Sequence, residues 1–288
     1  MFRSLMFIPG NRINMLEKSL TISPDVYIPD MEDSVPINRK DEARNIIEGF
    51  LPNMTIKNNI VIPRVNSLNS GFFEEDVRAV LNHKIYGISV GKINTVEDIK
   101  NVSNILDKYE ALKKIKQSSI KIIPWIETAL GVSNAFEICR SSLRIKAVAF
   151  GAEDFTNDIG VKRSIDGFEI DYPRKLIVIA AKAAGIEALD TPYTNFKDSE
   201  GLRKDIHIVK RLGYSGKFAI HPSQVEIIDK EFYPSEEEIE NAKHVIETFK
   251  DAEKNGHGST SFKGQMIDIP VVERAKKVLE NLKIFEGK

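Results

Sequence analysis

The run IKIIPWIE (residues 120–127) is, beyond Lys121, apolar without alternation until its last residue, and AVAFG (residues 147–151) repeats the pattern. A strand with one wet face alternates apolar and polar side chains. A continuous apolar run is covered on both faces, which is the condition of a strand inside a parallel sheet. Six further short runs share this character, at residues 4–8, 26–30, 60–64, 85–90, 186–190 and 217–220. Stretches of helical periodicity separate them, at 12–20, 39–50, 72–81, 96–114, 129–141, 172–184, 199–212 and 223–230. Eight strand–helix units in a chain of 288 residues predict a closed (β/α)8 TIM barrel rather than an open sheet.

The pattern changes after the eighth unit. Pro234-Ser235-Glu236-Glu237 reads as a helix start, with Ser235 as N-cap and acids in the first turn, running to about residue 254. Residues 256–261 read as a flexible connection, and MIDIP (266–270) leads into a last helix over 271–282. The expected organisation is a catalytic barrel over residues 1–233 and a helical lid or oligomer arm over 234–288.

Forty-one Lys and Arg against 42 Asp and Glu leave a formal charge of −1. That balance argues against a nucleic-acid partner, which would demand a basic excess. The single cysteine, Cys139, excludes an intramolecular disulfide and a cysteine metal cluster, and points to a reducing compartment. No apolar run reaches membrane-spanning length, and Pro9-Gly10 cuts short the apolar stretch at the start, so a cytoplasmic location is expected.

Polar residues concentrate where the predicted strands end: Asp30 with Glu32 and Asp33 behind it, Arg64, Lys92, Glu127, Asp154, Asp190 and His221. In a barrel that edge is the active-site face, so residues scattered in sequence converge on one mouth. Individually, each could be an ion pair closing the barrel top. Glu127 and Asp154 follow neighbouring strands and offer hard oxygen donors without a cysteine or histidine pair, which favours Mg2+ or Mn2+ over Zn2+. Arg64 suits a substrate carboxylate or an enolate oxygen. Glu153 should face away from its neighbour Asp154 and reads as structural. Lys92 could form an imine, a route that a metal pair makes unnecessary. His83, His207 and His244 fall on helical stretches, and Trp125 reads as core. No Walker motif, GxSxG or HExxH occurs.

Seven segments in register carry a resemblance over essentially the whole chain: RSLMFIPGN, DMEDSVPINRKDEAR, VIPRVNS, IIPWIETALGV, FGAEDFTNDIG, GKFAIHPSQ and GQMIDIP. In this order they resemble the citrate lyase β-subunit-like family of the HpcH/HpaI aldolase group, within the phosphoenolpyruvate/pyruvate barrel superfamily, and within it the stand-alone citramalyl-CoA and malyl-CoA lyase-like proteins. The resemblance implies Glu127 and Asp154 as magnesium ligands and Arg64 at the substrate. It implies Phe7, Lys18, Lys40, Ile220 and His221 around coenzyme A.

Asp268 reads from its own neighbourhood as a helix N-cap ahead of Ile269-Pro270. The resemblance implies instead an acid/base delivered by the lid to a neighbouring subunit of a homotrimer. The expected reaction is reversible cleavage of a 3-hydroxyacyl-CoA, such as citramalyl-CoA or malyl-CoA, to acetyl-CoA and a 2-oxo acid. Citryl bound to an acyl carrier protein, as for a citrate lyase β subunit, and malate synthase or malyl-CoA thioesterase activity at the same site are the alternatives. Departures are DMED where the family reads DLED, Gly91-Lys92 where it reads Pro-Lys, and a Phe7 that lacks the hydroxyl a tyrosine would offer.

Overall fold

The structure is a computed structural model and describes residues 2–56, 59–82, 84–164 and 166–287; His83 lies outside them. Eight strands, Ser4–Pro9 (β1), Val26–Asp30 (β2), Arg64–Val65 (β3), Gly87–Val90 (β4), Lys121–Ile126 (β5), Ala147–Phe150 (β6), Glu187–Asp190 (β7) and Gly216–Ala219 (β8), run parallel in chain order. β8 pairs with β1 to close the barrel. Helices follow the strands as the alternation predicts, making this a (β/α)8 TIM-type barrel.

β3 is shorter than the apolar run that predicts it. Pro63 has no N–H to donate, which breaks the ladder. The backbone before it is nevertheless tied in: Ile62 N–H donates to Tyr27 O at 2.9 Å, and Ser89 N–H donates to Pro63 O at 2.9 Å.

Leu5, Ile28, Ile62, Ile123, Leu189 and Phe218 form the buried centre of the barrel, joined by Trp125. Trp125 satisfies its one polar atom by donating from Nε1 to Ser89 Oγ at 2.7 Å, as a buried indole must. Phe7, Trp125 and Phe218 stack in a cluster, with ring centroids 4.4–5.8 Å apart. This cluster forms an apolar floor beneath the C-terminal ends of the strands.

The chain divides into two compact units, residues 2–229 and 230–288. In the second, helix Glu236–Lys254 begins with a capping box: Ser235 Oγ accepts from Glu238 N–H, and the Glu238 carboxylate accepts from Ser235 N–H. Part of the expected flexible connection is instead a hairpin, Thr260–Phe262 against Gln265–Ile267. Its two-residue turn, Lys263-Gly264, has both φ values positive, the geometry that matches strand twist in tight hairpins. The last helix, Ile269–Glu286, outruns the expected 271–282 at both ends; it starts earlier because Pro270 sits in its first turn, where its missing N–H costs nothing. Val245, Phe249, Ile267 and Val272 form this unit's own core. Among the described residues, no helix is long and apolar enough to cross a membrane.

Candidate active site

The C-terminal strand ends enclose a cavity of about 380 Å³, lined by the apolar Phe7, Trp125 and Ile220 and by the charged Asp30, Arg64, Glu127 and Asp154. Strand register explains part of this. Asp30, the last residue of β2, stands opposite Arg64, the first of β3. Arg64 donates from Nε to Asp30 Oδ1 and from Nη2 to Asp30 Oδ2, both at 2.7 Å, and from Nη1 to Asp33 Oδ2 at 2.8 Å. Glu32 Oε2 lies 3.3 Å from Nη1. The guanidinium carbon sits 4.5 Å above the centre of the Phe7 ring. Carboxylates on its edge and an aromatic face below fix the plane of this arginine.

Asp30 also accepts from the N–H groups of Glu32 (2.8 Å) and Ser34 (3.1 Å), which folds the loop after β2 back over the strand end. Burial alone would raise the Asp30 pKa. The charge and hydrogen bonds of Arg64, with the two loop donors, hold it below the ordinary value.

Glu127, just past the end of β5, is buried at 4 % exposure, and among the described residues no cation forms an ion pair with its carboxylate. Oε1 accepts from Lys92 N–H at 2.6 Å. Its pKa is pushed up to about 8, first by burial and then by the charges of Glu32 and Asp154. Glu32 is raised to about 7, again chiefly by burial and against the pull of Arg64. Asp154, in the first turn of helix Ala152–Asp158 just past β6, is raised by burial and by Asp33. Glu32, Glu127 and Asp154 thus bring three carboxyl groups, each raised chiefly by burial, into one mouth, where a bound divalent cation would favour their charged forms.

Among the described residues no group of three or more His, Cys, Asp or Glu is arranged to hold a metal unaided. Glu127 and Asp154 line one cavity and offer two hard oxygen donors, which suits an ion that completes its shell with water and substrate oxygens, as Mg2+ does.

Other expected residues are placed differently. Phe7 is the floor under Arg64. Lys40 turns inward: its ammonium donates to the carbonyls of Met31 (2.8 Å) and Glu32 (2.7 Å), pinning the loop that carries Glu32 and Asp33. The structure thus gives Lys40 a supporting task in the loop after β2. Lys18 is exposed on helix Ile13–Ser19. His221 is exposed and stacks on Phe196, ring centroids 4.8 Å apart. Glu153 pairs with Arg163 at 3.0 Å. Asp268 belongs to the second unit, where it caps the last helix by accepting from Val271 N–H at 3.3 Å.

Two features of the mouth are not evident from the sequence. One is the approach of the Glu32 carboxyl to Glu127, both beside Gly91. The other is Lys217, fully buried, whose ammonium contacts Asp190, Asp205 (2.6 Å) and the carbonyl of Thr191 (2.7 Å). Arg174 braces the same aspartates from behind, reaching Asp190 and Asp205 at 3.0 Å each. A lysine inside the apolar run GKFA was the available signal, since a buried cation demands a partner on an adjoining strand.

An eight-stranded barrel with a carboxylate-rich mouth and a fixed arginine defines a (β/α)8 enzyme. The chain belongs to the HpcH/HpaI aldolase/citrate lyase family, whose sequence model matches residues 3–222, and it is a lyase of that family. It is 35% identical over 281 residues to the citrate lyase subunit beta of Haemophilus influenzae, covering 98% of this chain and 97% of that protein. It is 32% identical over 287 residues to the mitochondrial citramalyl-CoA lyase of Homo sapiens, covering 96% and 84%. Among solved structures, CitE of Mycobacterium tuberculosis in complex with magnesium, acetoacetate and coenzyme A matches with a TM-score of 0.81 at 25% identity, over 98% of both chains. A citrate lyase from Burkholderia xenovorans matches with a TM-score of 0.88 at 19% identity, over 99% of this chain and 93% of the other, a likeness of fold.

Proposed function

We propose that this chain is a magnesium-dependent carbon–carbon lyase that cleaves a 3-hydroxyacyl-CoA thioester, such as citramalyl-CoA or malyl-CoA, into acetyl-CoA and a 2-oxo acid. The observation that carries this reading is the buried Glu127 carboxylate lining the same cavity as Asp154 and Arg64. The complex of the mycobacterial relative with magnesium, acetoacetate and coenzyme A supports it.

Glu127 and Asp154 would hold the magnesium, which supplies Lewis acidity to the oxygens of the 2-oxo acid half. Arg64, oriented by Asp30 and Asp33, presents its remaining N–H bonds to the thioester oxygen. As the C–C bond breaks, its electron pair moves onto the acetyl carbon and charge builds on that oxygen, where a fixed guanidinium stabilises it. The hydroxyl proton passes to water as the new carbonyl forms, and water in turn reprotonates the acid that supplies the acetyl carbon. Asp268, supplied by the second unit of a neighbouring copy in a homotrimer, returns a proton to the acetyl carbon. The apolar floor of Phe7 and Trp125 keeps water from the carbanion. Lys18, Ile220 and His221 border the coenzyme. On this reading residues 1–233 act as the catalytic barrel and 234–288 as the lid, in the cytoplasm.

A second reading, a citrate lyase β subunit acting on citryl bound to an acyl carrier protein, draws on the Haemophilus influenzae relative, matched along nearly its whole length. The two separate in one experiment. Citramalyl-CoA, malyl-CoA and citryl-CoA are offered beside a citryl-loaded carrier protein, and acetyl thioester is quantified. Cleavage of a CoA thioester supports the first reading. Cleavage confined to the carrier-bound substrate overturns it in favour of the second.

A further inference from the structure

Glu127 stands at the end of β5, but its carboxylate is gripped from β4. We propose that the Gly91–Lys92 turn is a positioning element that aims the Glu127 carboxylate at its cation; the inference rests on the metal reading above.

Three observations on the backbone carry it. Lys92 has φ +57, the left-handed region that residues other than Gly, Asn and Asp rarely enter. Strain of this kind persists only where the surroundings impose it, and it gathers at functional sites. Here it directs the Lys92 N–H onto Glu127 Oε1 at 2.6 Å. One residue later, Ile93 N–H donates to Trp125 O at 3.2 Å, which anchors the turn to β5.

The glycines on either side complete the grip. A methyl group on Gly91 would lie 2.9 Å from Glu127 Oε1 and 2.7 Å from Glu32 Oε1. A methyl on Gly151 would lie 2.3 Å from Glu127 Oε2. The carboxylate thus occupies a slot between two side-chain-free Cα atoms, with one oxygen taken by an N–H. A glutamate free to rotate would hold a cation weakly. This one is set in advance, which is what a ligand supplied by so few protein groups requires.

The test uses Mn2+ alone as probe, its binding followed by the loss of the free-ion electron paramagnetic resonance signal. Gly91→Ala is compared with the unaltered protein and with Gly49→Ala, a helix position where an added methyl meets nothing within 4 Å. We expect Gly91→Ala to weaken Mn2+ binding by about tenfold or more. Its melting temperature should stay close to that of the unaltered protein, because the displaced atoms are the ends of side chains. Gly49→Ala should bind as before.

Equal Mn2+ affinity in Gly91→Ala and the unaltered protein would overturn the positioning role alone. No Mn2+ uptake by the unaltered protein would overturn the metal reading and this inference with it. Amide hydrogen exchange gives a second readout that does not depend on the folding of Gly91→Ala. The Lys92 amide should exchange slowly in the unaltered protein and quickly in Glu127→Ala, and the same rate in both would contradict the grip.

Discussion

Arg64 and Asp30 meet edge to edge from paired positions on neighbouring strands, two N–H bonds to two carboxylate oxygens at 2.7 Å. Asp30 is fully buried and Arg64 nearly so. The pair is therefore a device for holding an arginine plane inside a cavity rather than a surface contact. Breaking a buried pair from one side leaves a charge without its partner, at about 3–5 kcal/mol.

Asp30→Asn should accordingly destabilise the barrel, toward the lower end of that range because Asp33 and Glu32 still face Arg64. A urea unfolding midpoint measures the loss. Turnover should fall further than stability explains, because the arginine loses its orientation. An unfolding midpoint equal to that of the unaltered protein would contradict this account of Arg64.

The mouth carboxylates make stability depend on pH in a defined direction. Glu127 is raised to about 8 and Glu32 to about 7, both above the ordinary 4.5, so the folded protein binds protons more tightly than the unfolded chain. Their favourable contribution is present below about pH 4.5 and is lost as pH rises toward 8. The melting temperature in EDTA should decline from pH 5 to pH 8, and added Mg2+ should restore it by mass action. Glu127→Gln should flatten the decline and abolish much of the Mg2+ effect.

Asp268 has two separable tasks. Asparagine caps a helix as well as aspartate does, whereas alanine costs about 1 kcal/mol. Asp268→Asn should thus leave thermal unfolding unchanged and lower turnover by about 100-fold or more, the ordinary weight of a general acid or base. Asp268→Ala should lose both. Full activity in Asp268→Asn would reduce this residue to its cap.

Lys217 supports the loop after β7, which lines the cavity with Thr191 and Thr194. Lys217→Met leaves Asp190 and Asp205 facing Arg174 alone. It should cost about 3 kcal/mol in chemical unfolding and raise the KM for the acyl thioester more than it lowers kcat.

Much of this was legible in the sequence, and the limits have physical causes. Continuous apolar runs such as IKIIPWI and AVAFG mark strands covered on both faces, and Asp30, Arg64 and Glu127 could be read at strand ends without coordinates. What a one-dimensional reading lacks is cross-strand register and the direction of a side chain after its strand ends. The resemblance associates Lys40 with coenzyme A, and no spacing in the sequence shows that its flexible stem folds back to the carbonyls of Met31 and Glu32. Glu32 is legible as an acid behind the end of β2, but its approach to Glu127 beside Gly91, which follows a third strand, is not. Pro63 shortens β3 because one absent N–H interrupts the ladder while the backbone continues along the same path.

The most direct test of the central claim is release of 2-oxo acid from citramalyl-CoA, malyl-CoA and citryl-CoA, measured with Mg2+, with EDTA and with Glu127→Gln. The account predicts that at least one thioester yields its 2-oxo acid together with acetyl-CoA in a Mg2+-dependent reaction. It also predicts that Glu127→Gln is reduced by at least about 100-fold, since loss of a metal ligand costs no less than loss of its outer-shell support. Cleavage that persists undiminished in EDTA and in Glu127→Gln, or no cleavage of any thioester by folded, Mg2+-binding protein, would contradict it.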